Sequence, residues 1–203
     1  MFAVSARRLT NSLINKNVIS ESDFELYNFG FKMGFAILAN IFTTLFIGIL
    51  FRMPVESLLF LAAFIPLRSY TGGYHASNYT RCYLLSTLLV VVLLIAVRFV
   101  SSTLSAAVIL GVSLVCATAM LVLVPVQDRN RPLEEIEIRV FRKRARITLC
   151  LEFTALIILT AASLDTIVSV LCCTFCLTGI TTVMGVIKNR LHEKNNISNR
   201  RYN

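Results

Sequence analysis

The sequence predicts an all-α fold: a polytopic membrane protein with six transmembrane helices and an N-terminal amphipathic interfacial helix. Three observations predict it. Hydrophobic residues make up 56% of the chain and charged residues 15%, with a mean hydropathy of +0.74, a balance that soluble domains rarely show. Several apolar runs approach or exceed the about 18–20 residues that cross a bilayer. Those runs lack the apolar/polar alternation of a transmembrane barrel. The 203 residues suit one domain, with helix packed on helix inside lipid.

The elements follow in order. No apolar run follows Arg7 and Arg8, so residues 1–32 do not read as a signal peptide. Phe2, Ala6, Leu9 and Leu13 recur at helical spacing, with Arg7, Arg8 and Lys16 elsewhere on the turn. That pattern predicts a helix lying on the membrane surface. Glu21, Asp23 and Glu25 then open a helix that runs into a first span over residues 33–51. A turn at residues 52–56 leads to a short second run, 57–67, which with Val55 is only marginally long enough to cross and could instead be re-entrant. Spans three and four are expected at residues 83–97 and 104–126, the latter closed by Pro125. Residues 127–146 read as a long basic loop. Spans five and six are expected at residues 147–164 and 166–187, with Gly179 and Gly185 available for close helix contact. Residues 188–203 read as a mobile basic tail.

Charge sets the orientation. With six crossings and a cytoplasmic N-terminus, every Lys and Arg except Arg52 and Arg98 falls on the cytoplasmic side. That is a strong positive-inside pattern. It accounts for the net charge of +9 without a nucleic-acid partner. Both termini and the polar segment 68–82 are then cytoplasmic, in a reducing compartment where Cys82 is a free thiol. The other five cysteines (Cys116, Cys150, Cys172, Cys173 and Cys176) lie inside apolar runs and read as small packing residues. Cys173 and Cys176 form a C-x-x-C, but without a second pair or polar surroundings. No metal and no cofactor is expected.

Residues 68–82 are polar, turn-rich and flanked by apolar runs, and they hold His75 and Cys82. A thiol becomes a strong nucleophile when a neighbouring imidazole takes its proton and later returns it to a leaving amine. Cys82 is the candidate nucleophile and His75 the candidate base. Gly72 and Gly73 would let backbone N–H groups approach a developing oxyanion. Asn78, or less favourably Gln127 or Asp128, would orient the imidazole. Arg68 either clamps a substrate carboxylate or phosphate or snorkels as an orientation-setting charge. Glu152 is costly in a span, and it reads as a residue close enough to the inner surface to reach water. One straight helix through both dyad residues would hold them about 10 Å apart along its axis. The helix carrying Cys82 is therefore expected to begin after His75, near Ser77 or Asn78.

The pattern Arg68, Gly72-Gly73-x-His75 and Cys82 resembles the accessory gene regulator B (AgrB) family of bacterial quorum sensing. The segment Pro125-Val126-Gln127-Asp128-Arg129-Asn130-Arg131-Pro132-Leu133 is similar to that family's loop after its fourth span. The resemblance extends over nearly the whole chain in length, hydropathy and motif order. It implies an integral membrane cysteine endopeptidase that removes the C-terminal tail of a small AgrD-like precursor peptide. By that resemblance, Cys82 forms an acyl-enzyme thioester with His75 as base. A thiol or hydroxyl of the peptide then closes a thiolactone or lactone ring. Arg68 and Gly73 match positions the family retains near its site, and self-association as a homodimer is implied. The basic loop departs from the family by using Arg where Lys is common, which bears on precursor choice rather than on the chemistry.

Two other classes remain. A peptide exporter without covalent chemistry would line several spans with polar groups, and the spans offer Glu152 alone as a charge. A membrane scaffold or sensor would not need the Cys82 thiol. The basic segment 127–146 and the N-terminal helix would either draw in an acidic-tailed precursor or hold anionic lipid.

Overall fold

The computed structural model describes residues 2–73, 79–126 and 134–201, and their side chains except at 2, 79–80 and 192–201. Seven α-helices make up the described chain: α1 (Phe2–Asn15), α2 (Phe24–Leu50), α3 (Pro54–Thr71), α4 (Tyr79–Thr103), α5 (Ala106–Leu123), α6 (Glu135–Ala161) and α7 (Asp165–Arg201). A single 3-10 turn, Glu21–Asp23, leads into α2.

The boundaries have local causes. The Ser20 hydroxyl accepts from the Ser22 amide and caps the turn before α2. Pro54 occupies the first turn of α3, where its missing N–H costs nothing. Glu134 and Glu137 form a reciprocal capping box at the start of α6. That box corrects one expectation, because Glu135–Arg146 is the helical start of α6 rather than loop. The C-terminal segment also differs. Residues 188–201 continue α7, a stretch with five Lys and Arg and with no Gly or Pro to break the helix.

Four helical segments are long and apolar enough to cross a membrane: Glu21–Leu50, Arg81–Thr103, Ala106–Leu123 and Asp165–Leu191. The expected second and fifth spans are not among them. Helix α3 has 18 residues and includes Glu56, Pro66 and Arg68. Helix α6 spends its first half on charge, and Glu152 interrupts its apolar half.

Two apolar clusters share α3 and α7. One gathers Ala63 and Leu67 of α3 with Met120, Leu149, Leu156, Leu171 and Phe175 from α5, α6 and α7. The other gathers Phe60 and Leu61 of α3 with Ile47, Leu93, Leu94, Val97 and Val170 from α2, α4 and α7. Helix α7 is the central post, with 67% of its apolar window buried against 17–22% for α2, α4 and α5. Its buried face carries Ser169, Thr174, Thr178, Thr181 and Thr182, small residues that let neighbouring backbones come close. The outer helices turn large apolar side chains outward, as with Phe42, Phe46 and Ile49 along one face of α2. A stripe of that size is unfavourable in water and suits hydrocarbon.

Helix α1 packs on α2 and buries Ala6 and Thr10, while Leu9 is exposed along with Arg7 and Arg8. Ala6 and Thr10 thus form the face of α1 turned to the protein, and Leu9 lies on its outer face. The Thr10 hydroxyl is satisfied by the Ala6 carbonyl at 2.9 Å, which makes its burial tolerable.

Candidate active site

One end of the bundle brings together the last turn of α3, the first turn of α4, the segment leaving α5, the early part of α6 and Thr181 of α7. The meeting point is the Gly72-Gly73 pair. The Val126 amide donates to the Thr71 carbonyl at 2.9 Å, and Val126 forms a parallel bridge with Gly72. Both glycines take positive φ, +70° and +128°. A Cβ on Gly72 would run into the Val126 carbonyl oxygen. A Cβ on Gly73 would meet the Arg68 guanidinium and lie 3.0 Å from the Thr181 carbonyl oxygen. Glycine is required at both positions by backbone conformation and by space.

Arg68 folds back over this turn, and its guanidinium donates to the Gly72 carbonyl. Burial lowers its pKa from the ordinary value, and the nearby Cys82 sulfur acts in the opposite direction. The guanidinium charge is therefore within electrostatic reach of the thiol. The side chain is half-buried, held at the motif backbone.

The Gly72 amide donates to the Arg68 carbonyl at 3.2 Å and closes α3. It is therefore occupied within the helix end, which leaves the Gly73 amide as the candidate of the two for an oxyanion. Cys82 is a free, half-buried thiol in the first turn of α4. Its carbonyl accepts from the Ser86 hydroxyl at 2.9 Å. His75, Asn78, Gln127 and Asp128 lie outside the described residues.

Tyr70, two residues before the glycines, has its ring 6.4 Å from that of Phe141. The Arg144 guanidinium lies over the same ring at 5.7 Å. These contacts seat the basic start of α6 beside the motif. Arg139, Arg142, Lys143 and Arg146 of that segment are exposed.

The remaining candidates behave differently from one another. Both carboxylate oxygens of Glu152 are buried without a hydrogen-bond partner among the described residues. They do not reach water as expected, because Glu152 shares the inward stripe of Leu149 and Leu156. The C-x-x-C pair is split between environments. Cys173 joins the cluster of α2, α3, α4 and α7, while the Cys176 sulfur faces that of Cys116 at 3.8 Å. Among the described residues, no group of His, Cys, Asp and Glu is placed to hold a metal ion.

Sequence reasoning placed Val126 in a family-like segment without pairing it with Gly72, and it did not single out Thr181, Thr43 or Tyr83. The Tyr83 hydroxyl and the Thr43 hydroxyl are 2.6 Å apart, joining α4 to α2. Tyr83 adjoins Cys82 in sequence, a signal that was available. Nothing in the pattern marks Thr43.

A half-buried thiol within electrostatic reach of a half-buried guanidinium, with a two-glycine turn at the end of an apolar helical bundle, defines a membrane protein with a candidate nucleophilic site. Residues 6–185 match the family described as accessory gene regulator B, and the chain belongs to that family. No curated protein and no solved structure matches the chain. Family membership links the chain to processing of an AgrD-like peptide in quorum sensing, and its apolar helices agree with a membrane protein.

Proposed function

We propose that the protein is a membrane-embedded cysteine endopeptidase that cleaves an AgrD-like precursor peptide and leaves its N-terminal part ready to cyclise. The observation that carries this reading is the family match over residues 6–185, supported by a half-buried Arg68 that bonds the Gly72 carbonyl within electrostatic reach of Cys82. In the proposed cycle, His75 takes the Cys82 proton and the sulfur attacks the scissile carbonyl. The Gly73 amide and the Arg68 guanidinium stabilise the resulting oxyanion. Collapse expels the C-terminal tail as an amine, which takes the proton back from the imidazolium, and leaves a thioester on Cys82. A thiol or hydroxyl within the bound peptide then attacks the thioester carbonyl and releases the sulfur with a ring closed. Asn78 is the proposed orienting partner of His75.

The topology proposed with it has six crossings, with α3 and α6 included. Helix α3 packs on α2, α6 and α7, and α6 packs on α3, α5 and α7, so each needs less apolar surface than a helix facing lipid on all sides. The positive-inside pattern supports this arrangement, with both termini, the motif and the basic start of α6 cytoplasmic. Helix α1 would lie at the interface, and the exposed cations of α6 beside Tyr70 would attract an acidic precursor tail or anionic lipid. Self-association as a homodimer belongs to the same proposal.

Cys82→Ala and His75→Ala, each in membranes with the precursor, test the reading. Loss of cleavage in both, with trapping of a thioester adduct on Cys82 in the parent protein, is the expected result. Normal cleavage by either variant removes the dyad. Export without any adduct would favour a transporter instead.

A further inference from the structure

We propose that Thr43 of α2 and Tyr83 of α4 are positioning residues that hold Cys82 at a set height and rotation against Arg68. The proposal rests on the reading of Cys82 as nucleophile and goes beyond it by naming what aims the sulfur. Cys82 sits in the first turn of its helix, where backbone amides lack partners within the helix and local opening is easiest. A nucleophile there needs an anchor from outside its own helix.

The structure supplies one at the next residue. The Tyr83 hydroxyl meets the Thr43 hydroxyl at 2.6 Å across 40 positions of sequence, and both side chains are half-buried. Tyrosine suits the task because its ring is stiff and its hydroxyl transmits the position of the backbone that carries it. A second bond ties the far end of the same two helices, from Arg98 Nη2 to the Phe51 carbonyl at 2.7 Å. The two attachments are about 22 Å apart along α4 and about 12 Å apart along α2, so α4 can neither slide nor turn freely on α2.

Helix α2 is also the reference for the other half of the site. Gly48 of α2 is pressed against Ser57 of α3, where a Cβ would collide with the serine side chain, and the Met53 amide donates to the Gly48 carbonyl at 2.7 Å. Helix α3 carries Arg68 and the two glycines. Thr43 thus registers the turn that bears the thiol to the same helix that seats the guanidinium. Within α4, hydroxyls of Ser86 and Thr87 bond back to the carbonyls of Cys82 and Tyr83 at 2.9 and 3.0 Å, which couples both residues to the following turn.

The test uses the full chain in membranes, with Thr43→Val, Tyr83→Phe, the double variant and Thr43→Ser. Two quantities are read: kcat and KM for precursor cleavage, and the rate at which a maleimide labels Cys82, measured by mass spectrometry of that peptide. Each single variant should lower kcat about ten- to a hundredfold with KM little changed, and should alter the labelling rate. The double variant should be no worse than either single one, and Thr43→Ser should restore both quantities. Unchanged labelling in both single variants overturns the tether whatever the cleavage result. Losses that multiply in the double variant also overturn it. Cleavage that survives Cys82→Ala would instead defeat the peptidase reading, while labelling would still report on the tether.

Discussion

Val126 and Gly72 are joined through the backbone by a parallel bridge, so the segment leaving α5 begins its path beside the candidate active site. The two residues are far apart in sequence and belong to different motif segments of the family pattern. Their pairing makes those segments parts of one local structure. Gly72→Ala places a side chain at φ +70° and against the Val126 carbonyl. The strain is about 1–3 kcal/mol, enough to open the bridge while leaving the packed helices intact. Precursor cleavage should be lost with little change in the amount of folded protein recovered in detergent, measured by size-exclusion chromatography beside the cleavage assay.

Gly73→Ala acts on a different partner. Its Cβ would displace the Arg68 guanidinium from the turn. Cleavage should fall by at least about tenfold, consistent with loss of one stabilising donor. Arg68→Lys should not rescue function, because an ammonium lacks the planar fork that bonds the Gly72 carbonyl and points further donors elsewhere. Equal cleavage by Arg68→Lys and the parent would show that charge alone suffices.

The interior of α7 yields a stability prediction. Thr178 is fully buried and its hydroxyl has no partner among the described residues. Thr178→Val keeps the shape and removes the unsatisfied group, which should stabilise the protein by about 1 kcal/mol. A higher melting temperature in detergent, with cleavage unchanged, is the expected outcome. A lower one would mean that the hydroxyl is satisfied in the membrane.

The outward face of α2 tests the lipid assignment. Phe46 is 68% exposed on a helix long and apolar enough to cross a membrane. Phe46→Lys, near the C-terminal end of α2, should cost less than the about 2.5–3.5 kcal/mol of a lysine at a helix centre and still lower the membrane-integrated fraction. The same change at exposed Arg142, outside the apolar part of α6, should have no such effect. Equal integration of both would place the α2 face away from hydrocarbon.

Much of this molecule was legible from local pattern. Apolar runs and charged breaks located the helices, and the spacing of Arg68, Gly72, Gly73, His75 and Cys82 marked the candidate site and its family. These signals survive in a linear chain because hydrophobic length and motif spacing are properties of neighbouring residues. The errors came where local composition was ambiguous. Charge in residues 135–146 and 188–201 looked like loop and tail, yet a capping box opens the first as helix and the second, without Gly or Pro, continues α7.

Partnership across the bundle was a matter for tertiary packing alone. It decided that α7 is the central post, that the Gly72 amide closes α3, that Arg68 turns inward over the glycines and that Glu152 is sealed from water. It also decided that Thr43 meets Tyr83. The reason is physical: a hydrogen bond or a steric contact between helices depends on crossing position and rotation, which are set by all the side chains at an interface together. No single stretch of chain carries that information.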